Sequence, residues 1–79
     1  MGRYYRLSKK ITEEMASDIM KEVQGIADVE QAQLLEENAK ILVETEEEKY
    51  PEVMTKIVNI FARVGNGCEI SFAGFQYEE

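Results

Sequence analysis

The stretch VEQAQLLEENAKILVET, residues 29–45, decides the fold. Within it Val29–Leu35 alternates so that Ala32 and Leu34 share one face, and Lys40–Thr45 alternates with Ile41 and Val43 on a matching face. A period of two with β-branched residues is the pattern of a half-buried strand. The polar run Glu36-Glu37-Asn38-Ala39 between them predicts a hairpin whose loop is a little longer than the shortest kind.

Moving outward toward the N-terminus, the period changes. Met15, Ala16, Ile19, Met20, Val23 and Ile26 recur at helical spacing and form one apolar stripe. Thr12 is placed to cap that helix, Glu13 and Glu14 suit the positive end of its dipole, and Ile11 is placed to staple onto the first turn. Gly25 marks its end. Ahead of it, residues 3–8 (RYYRLS) read as a strand with Tyr5 and Leu7 on one face and Tyr4 and Arg6 on the other. On the C-terminal side, Glu46 to Lys49 forms a charged loop and Pro51 suits a first helical position. Val53, Met54, Ile57, Ile60, Phe61 and Val64 then make a second apolar helix face, stopped by Gly65-Asn66-Gly67. Residues 68–75 alternate with Cys68, Ile70 and Phe72 inward, which predicts a last strand.

The order strand-helix-strand-strand-helix-strand, with two right-handed crossovers, predicts an α+β ferredoxin-like sandwich. The expected sheet is four-stranded and antiparallel in the order 4-1-3-2, with both helices on one face and the whole of residues 1–79 in one domain. The expected core is Tyr5, Leu7, Ile19, Val23, Val29, Ile41, Val43, Ile57, Phe61, Ile70 and Phe72.

Composition narrows the function. With 16 acidic against 9 basic residues the net charge is −7, so a nucleic-acid partner is not expected, because such binding rests on lysine and arginine contacts to phosphate. A single cysteine excludes an internal disulfide and fits a cytoplasmic location. The absence of histidine removes the usual general base and the commonest metal ligand, and no serine elbow or phosphate loop is present. An enzyme is therefore not expected. No apolar run approaches the roughly 18 residues of a membrane span, so direct membrane insertion is not expected either.

Several of these stretches also carry a family likeness. The Tyr5-Arg6-Leu7 strand, the helix from Ala16 to Val23 and the corner Ile26-Ala27-Asp28-Val29 resemble a heavy-metal-associated domain. So do Ala32, Leu34 and Lys40-Ile41-Leu42-Val43-Glu44 of the hairpin, although Asp28 stands where that family writes glycine. The family carries a Cys-x-x-Cys pair where the first strand enters the first helix. Counting back from Val29 puts Thr12 and Met15 at the two cysteine positions and Lys10 at the preceding methionine. Such domains stand at the N-terminus of heavy-metal P-type ATPases. The resemblance therefore implies a non-catalytic regulatory or docking module tied to heavy-metal or cation transport, without metal binding through a cysteine pair. Its implied partners are another protein or the rest of a transporter chain.

Two alternatives stay open on the sequence. One is a residual metal binder that uses Cys68 with Met15 or carboxylates; against it, Cys68 and Met15 read equally as core residues, and Lys9 and Lys10 place positive charge at the loop. The other is a small-ligand regulatory module that dimerises through its sheet. For docking of either kind, Tyr4 and Leu42 are the expected surface residues on the sheet face turned away from the helices.

Overall fold

A computed structural model describes residues 2–76. The elements run β1 (Arg3–Leu7), α1 (Glu13–Gln24), β2 (Val29–Leu35), β3 (Lys40–Thr45), a single 3-10 turn (Glu47–Lys49), α2 (Tyr50–Val64) and β4 (Ile70–Phe75). The central hairpin pairs Ala32 with Val43 and Leu34 with Ile41, which keeps the expected apolar residues on one side. Its turn is built from three successive left-handed residues, Glu36, Glu37 and Asn38, with φ of 51°, 58° and 67°. The Ala39 amide then closes the turn onto the Leu35 and Glu36 carbonyls at 3.1 and 3.2 Å.

The four strands form an antiparallel sheet in the order β2-β3-β1-β4, the expected ferredoxin-like topology. Both amphipathic helices press their apolar stripes against one face. Ile19 and Val23 of α1, Ile57 and Phe61 of α2, and Ile41 and Val43 of β3 are completely inaccessible to solvent. Burying side chains of this size is the main favourable term in a chain this short.

Three positions differ from the sequence reading, each for a physical reason, and a fourth was not read at all. Phe72 is 52% exposed although expected in the core. It lies opposite Tyr5 and so faces the helix side, but β4 is the edge strand and, among the described residues, no element covers it there. The strand itself starts at Ile70, so Cys68 is buried as expected but from the loop ahead of the strand. Tyr50, which the sequence reading placed in no element, opens α2 with its ring in the core. Leu42 is only 3% exposed, although it sits on the face turned away from the helices. There the Gln76 amide donates to the Gly2 carbonyl at 2.7 Å, and a Cβ on Gly2 would come within 2.8 Å of Leu42 Cδ1. The two ends of the described chain thus cover Leu42 and remove it as an accessible surface residue.

Candidate functional site

The loop from Ser8 to Thr12 joins β1 to α1 and lies against the connection between α2 and β4. Thr12 is extended, and its hydroxyl accepts the Met15 amide at 3.1 Å, so the oxygen is spent on capping α1. Glu13 and Glu14 follow in the first turn, as expected from the dipole. Lys9 runs the other way. Its ammonium donates to the main-chain carbonyl of Asn66. Asn66 and Gly67 are left-handed, and the Gly67 amide returns to the Ala62 carbonyl at 2.8 Å, so this carbonyl belongs to the C-terminal cap of α2. A lysine at a helix C-terminus meets the negative end of the dipole.

Behind this contact lies Cys68, 1% exposed, with its sulfur 3.7 Å from the carbonyl oxygens of Lys9 and of Glu69. The Ser8 amide donates to the Glu69 carbonyl at 2.8 Å, and the Glu69 amide donates back to the Ser8 hydroxyl at 2.9 Å. The two loops are therefore stitched together around a buried thiol and a tethered ammonium. Met15 is half-buried on α1, and Lys10 is exposed. Tyr4 is half-buried on the other sheet face, where the Lys40 ammonium lies 5.3 Å from its ring centre.

A soft cation needs thiolate or imidazole donors in reach. The only thiol is buried and directed at backbone carbonyls, the Thr12 oxygen caps a helix, and a fixed positive charge occupies the loop. Among the described residues, no group of three or more histidine, cysteine, aspartate or glutamate side chains is placed to hold a metal ion. The residues of this loop do not fit a thiolate-held metal. Among the same residues, no helix is long and apolar enough to cross a membrane.

A second constellation was missed in the sequence because its members are far apart along the chain. Arg3 lies with its guanidinium carbon 4.0 Å from the ring centre of Tyr50 and 5.5 Å from that of Phe75. Phe75 meets Phe72 edge-on at 5.0 Å, and Phe72 meets Tyr5 edge-on at 5.9 Å. Underneath, the Tyr50 hydroxyl donates to the Val43 carbonyl at 3.1 Å and accepts the Thr45 amide at 3.4 Å. Burial holds the Tyr50 hydroxyl above the ordinary tyrosine pKa. No local spacing links residue 3 to residue 50; the packing of α2 on the sheet brings Tyr50 to Arg3, and the β1–β4 register brings Phe75.

A solved structure, the solution structure of the N-terminal domain of ZntA in the Zn(II)-form, superposes on this chain with a TM-score of 0.67. The match covers 96% of each chain at 16% sequence identity. The two share a fold. At this identity the likeness carries the architecture alone, since one scaffold serves many functions. Neither a known protein family nor a curated protein matches the chain.

Proposed function

We propose that this chain is a non-catalytic, single-domain docking or regulatory module of a cation-transport system, built on the heavy-metal-associated fold but without its metal chemistry. It acts in the cytoplasm on a protein partner or on the remainder of a transporter chain. One observation carries the reading: the Lys9 ammonium is bonded to the Asn66 carbonyl at the loop where a carried cation is expected, with the sole thiol sealed behind it. The neighbouring fold, that of a domain solved in a Zn(II)-form, supports the link to metal transport. The donor set supports the loss of the metal.

The test is an amide NMR titration with Zn(II) and then Cu(I) under reducing conditions. The expected result is no saturable shift in residues 8–15 or 65–69. Saturable shifts there, removed by Cys68→Ser, would establish a residual metal site and overturn the reading.

A further inference from the structure

We propose that Arg3 and the two exposed phenylalanines of β4 form a docking site for an extended segment of a partner protein, one that presents a carboxylate and an apolar side chain two residues apart. This specifies the docking role proposed above.

The first argument is the bulge in β4. Phe72 pairs with Tyr5, Gly74 with Tyr4 and Phe75 with Arg3, so Ala73 is an extra residue in the strand. In an unbroken strand, residues three apart point to opposite faces. The inserted residue turns Phe75 to the same side as Phe72, and Gly74 permits this with φ of 137°. The result is a pair of rings 43% and 52% exposed at the sheet edge, in direct contact with one another. A core does not require that arrangement.

The second argument is the charge beside them. Over the faces of Tyr50 and Phe75 a guanidinium is held in place by ring contacts, which leave its N–H donors directed to no other described residue. Among the described residues, Arg3 forms no ion pair, although acidic side chains outnumber basic ones by 16 to 9. Glu47 lines the same shallow pocket, together with Thr45, but does not pair with Arg3. A pre-oriented, half-buried arginine next to exposed aromatic rings is complementary to a carboxylate followed by an apolar group. Among the described residues the outer edge of β4 has no neighbouring strand, which gives an extended segment a backbone to pair with. Same-face residues of such a segment are two apart, which sets the spacing. A polyanion is not the occupant, because one arginine does not offset a net charge of −7.

The test is an NMR titration of the isotope-labelled domain with the peptide acetyl-Val-Glu-Val-Phe-Val-amide, against the same peptide with glutamine for glutamate. Saturable shifts are expected at residues 3–5 and 70–76 and at the Arg3 side-chain N–H. Loss of a charge-assisted contact should weaken binding about tenfold for the glutamine peptide and for Arg3→Gln alike. Glu47→Gln should tighten it, since a like charge leaves the pocket. Equal affinity for both peptides, shifts confined to other regions, or no saturable shift would overturn the proposal. So would concentration-dependent self-association through these residues without peptide, which would make a second copy the occupant. Should Arg3→Gln fail to fold, the two-peptide comparison on the unmodified domain still decides. The metal titration is independent of this one, so failure of either reading is distinguishable from failure of the other.

Discussion

Tyr50 couples the start of α2 to the end of β3 through a single hydroxyl that serves one carbonyl and one amide, both from the strand. Removing that oxygen takes one buried hydrogen bond from each of these main-chain groups. Tyr50→Phe should therefore cost about 1–3 kcal/mol in urea unfolding at neutral pH. The same hydroxyl makes stability pH-dependent at the alkaline end. Its pKa in the folded chain is raised by burial, so the unfolded chain loses its proton first. The contribution is fully present below the ordinary tyrosine value of 10.0 and is lost as pH rises from there through the folded value. Unfolding curves recorded across that window should show the decline in the unmodified protein and a smaller one in Tyr50→Phe. The ion pair of Glu22 with Arg63 also shifts both groups, lowering the carboxyl and raising the guanidinium through their shared hydrogen bond. It stands in solvent, and a pair of that kind contributes little to stability.

At the scale of elements, α1 illustrates how much of a helix is set locally. Its cap, its acidic first turn and its terminal glycine all lie where their chemistry predicts. Thr12→Ala should cost about 1 kcal/mol, measured by denaturant unfolding, because the Met15 amide loses its acceptor. The strands β2 and β3 were legible to the residue, since alternation and a polar turn agree there. β4 was legible only in part. Alternation reports which face a side chain takes but not what lies above that face. Phe72 therefore has the expected side and not the expected burial, and a bulge is invisible to a period-two count. Leu42 shows the converse, an outward residue buried by chain segments from far away in sequence. The candidate loop was half legible: the cap on Thr12 and the opposing charge of the lysines were readable, whereas the reach of Lys9 to Asn66 spans 57 residues and depends on the fold.

For the molecule as a whole, the topology places the first strand in the middle. β1 lies between β3 and β4, so the sheet closes only when the two extremes of the chain have met. Arg3 with Phe75 and Gly2 with Gln76 are neighbours across that seam. This arrangement has a mechanical consequence. Because the ladder bonds of an antiparallel pair run across the strands, tension on its two adjacent ends opens them one after another, like a zipper. Tension on the start of β1 and the start of β4 instead pulls the strands past one another and loads every bond at once. In a single-molecule experiment, handles at the two chain ends should therefore unfold the domain at a lower force than handles at the N-terminus and residue 69. A domain strung in series with other segments would then yield early under load, peeling β4 and its aromatic edge away from β1 before the hairpin and its helices give way.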